Sequence, residues 1–119
     1  MKLKLREVLE HGHDRERVVI DVLQDADLEF YILTDTSYTS DHKISNKLRH
    51  LYWFLKQKVI KGDIVVLFTK KGTNAIRVNA DNTTSYFYFW QLDINVWNDN
   101  GDTAVLFELN GWQSLKAKP

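Results

Sequence analysis

The chain reads as all-β, a sandwich of about seven to eight short strands, and three features of its 119 residues predict this. Runs of β-branched and aromatic residues alternate apolar with polar side chains at period two, the spacing that lays one face of a strand on a core. Clusters of Gly, Asn, Asp, Ser and Thr punctuate those runs and supply the turn chemistry that successive strands need. One run, SYFYFWQL, carries rings on both faces and has to be covered from both sides, which two facing sheets accomplish. A chain of this length supports one core rather than two, so residues 1–119 are expected to form a single domain.

Taken in order, ERVVIDVL at 16–23 sets Val18, Ile20 and Val22 against Arg17, Val19 and Asp21, a half-buried strand. After the break Gln24-Asp25-Ala26-Asp27, the run LEFYILT sets Leu28, Phe30 and Ile32 against Glu29, Tyr31 and Leu33, so the two runs are expected to pair as a hairpin. DTSYTSDHK at 35–43 is loop chemistry. The following segment carries two signals. Ile44, Leu48, Leu51, Leu55 and Val59 draw a helical stripe, and one short helix is allowed for near 41–50. Yet LYWF is aromatic-rich and leads through Lys61-Gly62-Asp63 into DIVVLFT, a buried strand. GTNAIRVNADNTT at 72–84 reads as a polar connection. Beyond the aromatic run, TAVLFEL places Val105, Phe107 and Leu109 on one face and Ala104, Leu106 and Glu108 on the other.

Hydrophobic residues at 44% and charged residues at 27% are the balance of a folded globular chain and exclude a disordered one. The absence of cysteine excludes disulfides and thiolate-bound zinc. The start MKLKLREVLEHGHDRERV lacks the apolar stretch of a leader and no run is long enough to span a membrane, so a cytoplasmic location is expected. Net charge is zero only on average: residues 1–42, 43–77, 78–112 and 113–119 carry −5, +8, −5 and +2. Within the basic segment Lys56, Lys58, Lys61, Lys70, Lys71 and Arg77 are candidate partner-binding cations. The competing reading pairs them with acidic neighbours on adjacent strands, which cancels the field locally.

The remaining motifs favour structure over chemistry. In DINVWNDNGDTAVLFELNGW, the cluster Asn98 to Asp102 is read as a turn, because glycine, and less readily asparagine, tolerates positive φ. Its carboxylates do not fall at calcium-loop spacing. Trp97, Asn98, Gly101 and Asp102 are therefore read as structural turn and anchor, with Trp97 in the core. His11-Gly12-His13-Asp14 has a metal clip's residue types, but neither His42 nor His50 stands at a spacing that completes four ligands, and a solvated turn is expected. No nucleophile elbow or Gly-rich phosphate loop is present, so no catalytic residue, metal or cofactor is assigned. Of Tyr52, Trp53, Phe54, Tyr86, Tyr88 and Trp90, most are expected in the core, with two or three at most on the surface.

The segments Lys61-Gly62-Asp63 through Thr69 to Gly72, then Trp97-Asn98, Gly101-Asp102 and the strand from Ala104 to Leu106, resemble the closing half of the lamin tail domain family as it occurs in bacteria. Glu16 with VVI, Asp27-Leu28 and the YILTD run follow that family's order more loosely, and Gly111-Trp112 departs from its usual acidic-Gly turn. The resemblance implies an immunoglobulin-like sandwich acting in recognition or tethering, and it implies that Arg49 to Phe54 is extended. The expectation is a non-catalytic module with a protein partner. A nucleic-acid-binding domain using the basic 43–77 segment is the alternative, and a small hydrolase or metal-binding protein the second.

Overall fold

A computed structural model of the chain describes residues 1–37, 47–97 and 101–118 and contains strands and one 3-10 turn. Among the described residues ten strands form: β1 Leu3–Leu9, β2 Arg17–Val22, β3 Ala26–Asp27, β4 Tyr31–Ser37, β5 Leu51–Trp53, β6 Lys58–Val59, β7 Ile64–Lys70, β8 Ala75–Val78, β9 Thr84–Leu92 and β10 Asp102–Glu108. The count exceeds seven to eight because β3, β5 and β6 are only two or three residues long. Five strands make one sheet in the order β1-β2-β7-β9-β8, three make a second, β10-β4-β5, and β3 pairs with β6 in a two-stranded ribbon. All pairings are antiparallel except β7 with β9, whose parallel connection runs through β8. Parallel neighbours need such a crossover because a tight turn reverses the chain.

The two sheets enclose one core. The larger contributes Leu3, Val18, Ile20, Val22, Val65, Leu67, Tyr88 and Trp90, and the smaller contributes Tyr31 and Leu33, with Leu106 and Tyr52 packed against them. The Val18, Ile20 and Val22 set read for β2 and the Tyr86, Tyr88 and Trp90 set read for β9 both face this core. Leu28, Phe54, Val59, Val96 and Trp97 fill the ends between the sheets. Tyr88, desolvated there, has its phenol pushed up to about 12. Among the described residues no helix is long and apolar enough to cross a membrane.

Four sequence expectations are corrected. First, β2 and β4 are not a hairpin: β2 pairs with β1 and β7, whereas β4 lies in the opposite sheet. The chain crosses between sheets at 24–30, where Asp27 caps the 3-10 turn Leu28–Phe30 by accepting from the Glu29 N–H at 3.0 Å. That turn also shifts the phase of the following strand, so Tyr31 and Leu33 point inward and Phe30 outward. Second, the polar 72–84 connection contains β8, held to β9 by four residue pairs. Third, residues 47–50 form no helix; Arg49 donates to the Asp35 carbonyl and Asp35 to the His50 carbonyl, at 3.1 and 3.3 Å, continuing the contact with β4. Residues 41–46, the rest of the expected helix, lie outside the described residues. Fourth, Asp35, Thr36 and Ser37, the start of the loop expected at 35–43, extend β4 and pair with Ala104, Thr103 and Asp102, while residues 38–43 lie outside the described residues. A strand for which no expectation was formed, β1, occupies the charged start LKLREVL, whose Leu3, Leu5 and Val8 reach the core around a bulge between Leu5 and Glu7.

Candidate functional site

The cations of the basic segment are dispersed. Lys61 precedes β7 and Lys70 and Lys71 end or follow it, so these positions stand at opposite ends of a seven-residue strand, about 20 Å apart at the usual rise per residue. Lys56 meets Asp27 at 2.8 Å, Lys70 meets Asp14 at 2.8 Å and Lys71 meets Asp93 at 2.9 Å. The Lys56 ammonium holds the Asp27 carboxyl below its usual range, helped by backbone N–H groups of Glu29 and Gln57. Arg77 lies over the Phe87 ring at 5.1 Å and donates from Nε to Asn79. Lys58 and Lys61 have no carboxylate partner among the described residues.

Aromatic rings also occupy the outer side of the five-stranded sheet, and their faces are covered. Phe68 and Phe89 stack at 4.8 Å and 11°. Arg15 and Arg17 sit over the Phe68 ring at 5.5 and 5.7 Å. On the Phe89 side, a Cβ on Gly72 would fall 2.4 Å from ring atoms, so only glycine lets the backbone pass so closely. A base stacking here would have to displace these groups.

A buried polar hub organises the end of the sandwich near the His11-Gly12-His13-Asp14 loop. Glu16 is fully buried. Its Oε1 accepts from the Thr69 hydroxyl and the Val96 N–H, both at 2.8 Å, and its Oε2 from the N–H of Gly12 at 2.7 Å and of Trp97 at 3.3 Å. The loop is thereby tied to β7 and to the segment before β10. No group of three metal-ligating side chains forms among the described residues. Trp97 is buried and packs on Trp90 at 5.8 Å, while its indole N–H finds no acceptor among the described residues. Gly101 adopts φ +88°. Asp102 opens β10 opposite Ser37, with Arg49 at 3.6 Å, and Asn98 lies outside the described residues. The His50 ring meets the same Trp90 edge-on at 6.2 Å, and Asp35 accepts from both the backbone N–H and the ring of His50, at 2.8 and 3.0 Å.

The outward side of the three-stranded sheet has a different character. Cross-strand register aligns Phe107, Ile32 and Trp53 in one row and places Leu51 beside Thr34 in the next. Trp112, from the segment after β10, packs edge-on against Trp53 at 5.0 Å and Phe30 at 5.2 Å. Phe30, Trp53 and Trp112 remain 40%, 46% and 43% exposed, and Leu51 and Phe107 are exposed as well. The Trp53 indole N–H donates to the Glu29 carbonyl at 2.7 Å, which fixes the ring in place. Of the six aromatic residues considered in the sequence, Trp53 alone is an exposed large hydrophobic.

Sequence reasoning missed this cluster because Phe30, Phe107 and Trp112 look like ordinary core residues of their runs. The available signal was the i, i+2 pair Leu51 and Trp53, which puts two large apolar side chains on one face of a strand. Comparison of the chain with family models, with curated proteins and with solved structures returns no match.

Proposed function

We propose that the chain is a non-catalytic recognition module, akin to the immunoglobulin-like lamin tail domains it resembles, and that its partner is a protein. The observation that supports this reading is the exposed cluster of Phe30, Trp53, Phe107 and Trp112, with Leu51 beside it. A contiguous apolar patch costs solubility unless something covers it, and fixed aromatic rings are the side chains from which protein interfaces draw most of their binding energy.

The second reading, nucleic-acid binding through residues 43–77, draws on Lys58 and Lys61, which lack carboxylate partners among the described residues, and on Arg77. Against it stand the ion pairs of Lys56, Lys70 and Lys71 and the spread of charge along β7. A duplex contacted at Z phosphates loses affinity with salt at a log–log slope of roughly 0.9Z, so dispersed cations give weak, salt-labile binding. The two readings separate in a titration of a generic duplex at low and at physiological salt, with Lys70→Glu and Lys71→Glu beside the wild type. Weak binding that disappears at physiological salt supports the protein-partner reading. Tight binding that survives physiological salt and collapses in the charge-reversed variants replaces it with the second.

A further inference from the structure

The two larger sheets present four edges, and three of them carry features that discourage another strand from adding. β1 is bulged between Leu5 and Glu7 and bears Lys4 and Arg6. β5 is three residues long, and its Leu51 carbonyl is taken by the Trp90 indole at 3.2 Å. β10 is bracketed by Asp102 and Glu108, the latter accepting from the Tyr31 hydroxyl. β8 differs: it has no bulge, proline or lysine, and all four of its residues are exposed. Ile76 is 63% and Val78 70% exposed, on the face shared with Tyr86 and Thr84 across the ladder. The strand's one charge, Arg77, points to the other face, over Phe87. One side of the β8 backbone has no partner among the described residues.

Beside this edge lies a groove of about 430 Å³ lined by Leu55, Lys56, Gln57, Ile76 and Tyr88 among others, with Leu55 exposed on its wall. Lys56 lines it, Lys58 follows on the same segment as Leu55, and Arg77 lies on the opposite face of β8 over Phe87. Only Lys56 of these three has a carboxylate partner among the described residues.

We propose that β8 is a docking edge for an extended segment of a protein partner whose side chains alternate apolar with acidic. The segment adds as a further strand of the five-stranded sheet. Its backbone pairs with the free side of β8, its apolar residues lie beside Ile76 and Val78 toward Leu55, and its carboxylates fall on the outer face near Arg77. A second copy of this chain fits less well, because antiparallel β8 edges centred on Ile76 bring both Arg77 side chains onto one face and set two basic segments together. This surface is separate from the aromatic cluster of the smaller sheet.

The test uses the full chain labelled with ¹⁵N and a capped eight-residue peptide of alternating Val and Glu. The expected result is saturable shifts of the amides of residues 75–78 and Leu55, with the Trp53 indole signal unmoved. Methylating alternate backbone nitrogens along one edge of the peptide should weaken binding at least about tenfold, since ladder hydrogen bonds are lost. Replacing Glu by Lys in the peptide, or Arg77→Glu in the protein, should weaken it about fivefold. The proposal is overturned by absence of saturation, by equal binding of the methylated peptide, by shifts centred elsewhere, or by concentration-dependent self-association at β8 without peptide. The Trp53 indole signal reports on the aromatic cluster separately, so failure at β8 and failure of the aromatic surface are distinguishable.

Discussion

Replacing Glu16 by Gln changes one atom in a fully buried side chain that accepts four hydrogen bonds, and its cost follows from the bonding. The carboxylate accepts four hydrogen bonds, two on each oxygen, and no cation pairs with it among the described residues. Glutamine keeps the shape but presents an NH₂ where one oxygen stood. Placed at the Oε2 position, that group faces the N–H of both Gly12 and Trp97. Placed at the Oε1 position, it faces the Thr69 hydroxyl, which can rotate and accept, and the Val96 N–H, which cannot. The second placement is favoured and leaves one buried backbone donor unpaired, a loss of about 1–3 kcal/mol. Glu16→Ala removes the acceptor for all four donors and opens a void, and should cost about 3–5 kcal/mol. Urea unfolding at neutral pH, with an unchanged dependence on denaturant, measures both. Equal losses for the two variants, or two midpoints indistinguishable from wild type, would refute the bond-by-bond reasoning.

Trp97→Ala should lower stability by about 3–5 kcal/mol, as large core truncations do, whereas Trp97→Phe should lose much less because it also removes a buried indole N–H that has no partner among the described residues; thermal or urea unfolding compares them. Gly101→Val should destabilise by about 1–3 kcal/mol through backbone strain, since φ is +88° and none of the described residues lies within 4 Å of the added Cβ, and Gly101→Asn should be milder. The folded Asp27 carboxyl lies below its ordinary value of 3.8, chiefly through Lys56, so its contribution is complete above that value and vanishes as pH falls through the folded one. The stability gap between wild type and Asp27→Asn should therefore close on acidification below about pH 4, and a gap that stays constant down to about pH 2 would contradict the assignment.

Strands with uninterrupted alternation were legible from the sequence because burial on one face and exposure on the other write themselves into period two. β2 and β10 are of this kind, and the inward set of β10, Ala104 and Leu106, is one of the two read from TAVLFEL; β7 and β9 were legible instead from their β-branched and aromatic content. β1 and β8 were not legible, for opposite reasons. The outward residues of β1 are charged and its bulge breaks the period, while β8 is an edge strand whose exposed Ile76 and Val78 sit inside a polar stretch. The helical stripe from Ile44 to Val59 competed with tertiary pairing, and Leu51 to Trp53 went to the ladder with β4. The hairpin expected between 16–23 and 28–34 failed because no local signal distinguishes a turn within a sheet from a crossing between sheets. The aromatic cluster escaped notice for a related reason: Phe30, Trp53, Phe107 and Trp112 come from four separate segments, and only cross-strand register brings them together.

Site-specific photo-crosslinking in a native lysate tests the recognition reading most directly, with a photoreactive residue placed at 53 or 107 in one set of proteins and at 70 or 71 in another. Recognition of a protein through the aromatic cluster gives an adduct of defined mass from positions 53 and 107 that survives nuclease and is reduced when Trp112→Glu is added. Adducts that arise only from positions 70 and 71 and vanish with nuclease would contradict it.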